Sequence, residues 1–126
     1  MSLPRLPIAT PRARRLRGAA LLAGAALAAL PALAAAEITV LTAWYGQSCG
    51  TSHGNVTAHV QSRCNGRRTC SYPVHVDALG DPAPGCSKNF VVLYACKGQA
   101  PVRLSQIPAE AHGRTVELNC TGSGAL

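Results

Sequence analysis

Alternating apolar and polar positions mark several segments of the chain as β-strands. Residues Ile38–Tyr45 are rich in β-branched and aromatic side chains with rough alternation, and this pattern is typical of a strand with one buried face. Phe90–Cys96 is the clearest strand of the sequence. Shorter strands are predicted in three more segments: residues 71–76, 102–107 and 115–120.

A single short helix interrupts this pattern. Val56 and Val60 lie four positions apart within residues 56–63, and Asn55 precedes them as a suitable N-cap. Glycine and proline concentrate in residues 79–87, which we name the Asp81 loop. The sequence therefore predicts one mainly β domain with one short helix.

The first 36 residues have the layout of a secretory signal peptide. A basic stretch is followed by an Ala/Leu run over residues 19–30, by Pro31, and by small residues ending at Ala36. The apolar run is too short to span a bilayer. We expect cleavage after Ala36, with Ala34 as the alternative, and a secreted or periplasmic product without a transmembrane anchor. Export through the Sec route is expected, and Arg14-Arg15 leaves the twin-arginine route as the alternative.

Removal of this segment changes the electrostatic balance. The chain has 12 Lys and Arg residues against 5 Asp and Glu, a net charge of +7. Five of the basic residues and none of the acidic ones lie in the first 36 positions, which leaves seven against five. A nearly balanced domain gives no argument for a nucleic-acid partner.

Six cysteines follow the predicted cleavage site, an even number typical of a disulfide framework in an oxidising compartment. Their pairing has 15 solutions in principle. The short spacing of Cys64 and Cys70 favours a bridge between these two. In a domain of this size, disulfides contribute as much to stability as the small core does.

Catalytic and metal-binding patterns are weak. Residues 50–54 match Gly-x-Ser-x-Gly, but the large parallel sheet that this motif requires does not fit in such a domain. The four histidines lack zinc-like spacing. Asp77 and Asp81 are too few for calcium and lie on one short segment, a poor arrangement for a glycosidase. We therefore expect no enzyme activity, no metal and no cofactor.

Four short motifs occur in a definite order: Tyr45-Gly46, Cys64-x5-Cys70, Gly80-Asp81-Pro82 and Lys88-x5-Tyr94-x-Cys96. In these motifs residues 38–96 resemble the rhamnose/galactose-binding lectin domain of the sea-urchin egg lectin type. The resemblance implies a small antiparallel β-sandwich-like domain, which we place at residues 37–122, with a flexible tail at 123–126.

The resemblance also implies a sugar site. Tyr45, Asp81 and Lys88 match positions that bind sugar hydroxyls in the family, and Gly85 would let the backbone approach the ligand. The family's Asn falls on Val76, so the adjacent Asp77 is the candidate substitute. The family's N-terminal strand with its Glu has no counterpart after the predicted cleavage site.

By analogy with the family, the remaining disulfides are expected to be Cys49–Cys86 and Cys96–Cys120. In that arrangement the strand at residues 115–120 takes the place of the missing one, and Glu117 supplies its carboxylate.

The expected function is that of a secreted lectin domain that recognises rhamnose- or galactose-type sugars through vicinal hydroxyls, with self-association for avidity. The alternative is an envelope-associated structural or protein-interaction module that keeps the fold without sugar binding.

Individual residues have alternatives as well. Asp81 is also suited to cap its own turn, Lys88 to be a solvated charge at a strand start, and Tyr45 to be a core residue. Arg67 and Arg68 are expected at a solvated turn, with contact to an anionic glycan as the alternative.

Overall fold

A computed structural model describes residues 4–5, 7–11, 24 and 35–122. The chain divides into two compact units, residues 1–31 and 32–126. The described residues of the first unit lie outside helices and strands. Most of the predicted signal peptide (1–36) and the predicted tail (123–126) lie outside the described residues.

The described part of the second unit, residues 35–122, contains five strands, two α-helices and a short 3-10 helix at Gln47–Cys49. In chain order the strands and α-helices are β1 (Ile38–Tyr45), α1 (Thr57–Cys64), β2 (Thr69–Pro73), α2 (Val76–Leu79), β3 (Phe90–Cys96), β4 (Gln99–Ile107) and β5 (Thr115–Asn119). The domain is therefore mainly β, as predicted; α1 has eight residues and α2 has four.

The strands form two antiparallel sheets. One has the order β1-β3-β4 and the other pairs β2 with β5. Tyr45 lies opposite Phe90, and Ile38 lies opposite Cys96, so the end of β1 meets the start of β3. Alternate residues of β3 are buried, and a single hydrophobic cluster contains residues from both sheets and from α1.

The outer edge of β1 is occupied by groups of the segment that contains α1. Asn55 bonds the backbone N and O of Tyr45, and Gln61 and Asn65 bond the O and N of Val40. The hydroxyl of Thr57 bonds the backbone of Ala43. These side chains satisfy backbone groups that an edge strand otherwise leaves open.

Asn55 is therefore not the N-cap of the helix. Val56 occupies the cap position of α1, and its apolar side chain forms no cap hydrogen bond. The side chain of Asn55 bonds the backbone of Tyr45 instead. The predicted strand at residues 71–76 also begins earlier, at Thr69, and ends at Pro73, because Val76 opens α2.

Three disulfides join Cys49 to Cys86, Cys64 to Cys70, and Cys96 to Cys120. These are the pairs expected from the sequence and the family resemblance. The first fastens the Asp81 loop to the 3-10 helix, and the third ties the end of β3 to the residue after β5. Among the described residues no helix has the length and apolar character to cross a membrane.

Candidate functional site

The ammonium group of Lys88 binds three groups of the Asp81 loop. Lys88 lies two residues before β3 and is only 4% exposed. Its ammonium donates to the carbonyl oxygens of Ala83 at 3.1 Å and Cys86 at 2.8 Å, and it lies 2.9 Å from Oδ1 of Asp81. An ammonium group has three protons, and all three have acceptors here.

Lys88 is therefore neither a solvated charge nor a side chain with a proton left for a sugar. Its hydrogen bonds within the loop compete with the ligand role that the resemblance implies. Its pKa is raised, chiefly by the hydrogen bond to Asp81, so the ammonium remains charged and holds the loop.

Asp81 combines a fixed position with exposure. Its Oδ1 accepts from the Lys88 ammonium and from the backbone N–H of Ala83 at 3.3 Å, so the predicted turn cap forms as well. The side chain is 43% exposed, and Oδ2 accepts no hydrogen bond from any described residue. The hydrogen bond from Lys88 is the main cause that lowers the pKa of this carboxyl. The result is an ionised, partly exposed carboxylate with one oxygen free of hydrogen bonds with the described residues.

Tyr45 is a core residue. It is completely buried, and its ring lies 5.8 Å from the Lys88 ammonium. Its hydroxyl is buried without a hydrogen-bond partner among the described residues, and burial is the first cause that raises its pKa. The predicted ligand surface on Tyr45 is therefore absent, because β1 turns this side chain towards Phe90 and the core.

Glu110 is the acidic residue that sequence reasoning missed. Its Oε2 accepts from the backbone N–H of Lys88 at 3.2 Å, and its Oε1 accepts from the N–H of His112 at 3.0 Å. These bonds, that from His112 first, lower the pKa of the carboxyl. A hydrogen bond between the backbones of Ala111 and Lys88 fixes the same contact. Glu110 and Lys88 are 22 positions apart in the sequence, so no local sequence pattern predicts their contact.

The other predicted residues, Asp77, Glu117 and Gly85, form no side-chain hydrogen bond or salt bridge with Asp81 or Lys88. Asp77 is exposed and forms a 3.3 Å contact with His75. Glu117 accepts a hydrogen bond from Ser71 of the neighbouring strand, so the structure gives it no contact with Asp81 or Lys88. Gly85 has a left-handed φ of 77°, and a side chain there would meet only open space.

The Asp81 loop is also anchored at its C-terminal end, around Cys86 and Asn89. Besides the disulfide Cys49–Cys86, the Asn89 side-chain oxygen accepts from the N–H of Ser48 at 2.9 Å. The backbone of Gly46 donates to the carbonyl of Asn89 at 2.9 Å. These contacts hold the loop against the end of β1 on a rigid base.

The arrangement presents the Asp81 carboxylate as a hydrogen-bond acceptor on an ordered loop. Within the described part of the chain, no group of three or more His, Cys, Asp or Glu side chains is placed to hold a metal ion. Comparison with protein-family models, with curated proteins and with solved structures finds no match for this chain.

Proposed function

We propose that this protein is a carbohydrate-binding domain whose contact surface is the Asp81 loop. The observation that carries the proposal is the state of Asp81: Lys88 holds one carboxylate oxygen at 2.9 Å, while the side chain remains 43% exposed. An ionised carboxylate accepts short, strong hydrogen bonds from hydroxyl groups. A sugar with vicinal hydroxyls presents two such donors.

Prior ordering of the loop supports this function. Binding costs less when the contacting groups are already fixed. Here Lys88, the disulfide Cys49–Cys86 and the Ala83 N–H fix the carboxylate before any ligand arrives. Lys88 is thus a positioning residue in this proposal, and the sugar contacts are left to Asp81 and the exposed backbone near Gly85.

The motif order described above adds support for sugars of the rhamnose or galactose type. A shallow surface with few polar contacts gives weak binding of a monosaccharide. Useful affinity then requires several copies on one glycan, which self-association of the domain would provide. A secreted or periplasmic location agrees with the three disulfides and with the leader pattern of the sequence.

The test is a glycan-array screen of the oxidised protein with an isosteric variant, Asp81→Asn. A matched control is Glu37→Gln, which removes an exposed carboxylate beside Ile38, at the opposite end of β1. We expect rhamnosyl or galactosyl glycans to bind the parent and the control, and to lose binding to Asp81→Asn. Retention of binding by Asp81→Asn would refute the proposed site.

A second function is favoured by a separate observation. Because the Lys88 ammonium has no free proton and Tyr45 is buried, the loop lacks two contacts that the family resemblance implies. A module that keeps the fold for protein interaction would show this arrangement. Absence of glycan binding by a protein whose folding is verified by its thermal transition would select it.

A further inference from the structure

A concave surface lies between α1 and β2. It encloses about 190 Å³, and four of its lining side chains carry nitrogen donors: His59, Arg63, Arg67 and His75. A single water needs about 10–15 Å³ of such space, so the groove accommodates a group much larger than water. Its nine lining residues include no Asp or Glu.

The two arginines are the dominant charges. Both are exposed, and neither forms a salt bridge with the described residues. A concave surface lined by one sign of charge raises the local concentration of the opposite sign. Guanidinium groups bind carboxylate, sulfate and phosphate through paired hydrogen bonds.

The chain near these arginines is fixed. Arg63 lies in the last turn of α1. The backbone N–H of Arg67 donates to Cys64 at 3.2 Å, and its carbonyl accepts from Ile38 at 2.8 Å. The disulfide Cys64–Cys70 closes the same turn. The side chain of Arg67 thus extends from an ordered backbone. The neighbouring Arg68 does not line the groove.

Tyr72 supplies an ordered polar floor. It is 1% exposed, and its hydroxyl lies 2.5 Å from Nδ1 of His59. If the hydroxyl donates to Nδ1, the other ring nitrogen of His59 keeps its proton as a donor. Two carboxylates touch the lining residues: Asp77 contacts His75, and Glu117 accepts from Ser71. Neither contacts an arginine.

We propose that this groove binds an acidic saccharide through an oxyanion group, a sulfate or phosphate ester or a carboxylate. Arg63 and Arg67 bind the oxyanion, and the space beside Tyr72 receives part of the sugar ring. This site is separate from the Asp81 loop. Its oxyanion contact rests on the two arginines, and the choice of a saccharide rests on the carbohydrate-binding function proposed above.

The experiment is a titration calorimetry comparison of a heparin-derived tetrasaccharide with its desulfated, N-acetylated form, using the oxidised protein. The key variants are Arg67→Gln and the matched Arg68→Gln, which removes the same charge from the next residue of the same turn. We expect the sulfated sugar to bind and the desulfated one not to bind. Arg67→Gln should weaken binding about tenfold or more, as expected for the loss of a charged hydrogen bond. Arg68→Gln should change binding by less than about threefold, the effect of screened general charge.

Two further arms identify the source of the oxyanion. Inorganic sulfate at matched ionic strength should compete with the tetrasaccharide but bind more weakly. Equal affinity for inorganic sulfate, or for a single-stranded oligonucleotide of the same charge, would overturn the saccharide assignment. Equal losses of affinity in Arg67→Gln and Arg68→Gln would overturn the assignment of binding to the groove. Asp81→Asn should leave this binding unchanged, so failure of one site is distinguishable from failure of the other.

Discussion

Asn55 forms two hydrogen bonds with the backbone of Tyr45, one in each direction. Its Oδ1 accepts from the Tyr45 N–H and its Nδ2 donates to the Tyr45 carbonyl, both at 2.9 Å. The same carbonyl also accepts from the hydroxyl of Thr51 at 2.8 Å. The N–H therefore depends on Asn55 at this edge of β1, whereas the carbonyl has a second donor.

This difference predicts unequal effects of two substitutions. Asn55→Ala should lower the free energy of unfolding by about 1–3 kcal/mol, because it leaves the Tyr45 N–H without its acceptor. Thr51→Val removes one of the two donors to the Tyr45 carbonyl, leaves Asn55 in place and should have the smaller effect. Denaturant unfolding of both variants measures this order. Equal losses would contradict the dependence of the Tyr45 N–H on Asn55.

Removal of the side-chain hydroxyl should affect stability differently at Tyr45 and Tyr94. The Tyr45 hydroxyl is buried without a partner among the described residues. Tyr45→Phe should therefore leave stability unchanged or raise it. The Tyr94 hydroxyl accepts from the N–H of Asn119 at 3.2 Å, so Tyr94→Phe should cost about 1 kcal/mol. Thermal unfolding followed by circular dichroism compares the two, and a larger loss for Tyr45→Phe would contradict the assignment.

The same Tyr45→Phe variant bears on the sugar site. A tyrosine that contacts sugar through its hydroxyl would lose binding on this change, whereas a core tyrosine would not. We expect Tyr45→Phe to bind glycans as the parent does, measured on the same array as Asp81→Asn.

The strands were the part of the fold that sequence pattern could predict. Ile38–Tyr45 and Phe90–Cys96 match β1 and β3 in both bounds, because apolar side chains alternate on strands with a buried face. The prediction of Asn55 as the helix N-cap was wrong, because its side chain bonds the backbone of Tyr45 at the edge of β1 instead. Capping propensity is local and does not register a competing strand.

The candidate site was only partly predictable for a related reason. The family resemblance placed Asp81 and Lys88 in one site, but the burial of Lys88 depends on the Ala83 and Cys86 carbonyls, which accept hydrogen bonds from its ammonium. Glu110 reaches Lys88 across the fold. Backbone acceptors and distant contacts leave no trace in residue spacing, so both lay beyond sequence pattern.

Stability should fall in acid because of Asp81 and Glu110. Both carboxyls have folded-state pKa values below their ordinary values of 3.8 and 4.5. The unfolded chain therefore binds protons more readily, and the stabilisation is complete above these ordinary values and lost as pH falls through the lower folded ones. Urea midpoints between pH 2 and pH 6 should fall less steeply in Asp81→Asn with Glu110→Gln than in the parent. Parallel curves would refute the assignment.

The disulfides should differ in their resistance to reduction. Cys49 and Cys86 are half-buried, whereas both cysteines of the bridges Cys64–Cys70 and Cys96–Cys120 are at most 4% exposed. Because thiol exchange requires access to sulfur, limiting reductant followed by alkylation and peptide mapping should label Cys49 and Cys86 first. The singly reduced protein should keep its β-sheet circular dichroism and lose glycan binding, since Cys86 carries a carbonyl that fixes Lys88. Early labelling of Cys64 or Cys96 would contradict the order, and full binding after reduction would show that the loop needs no covalent anchor.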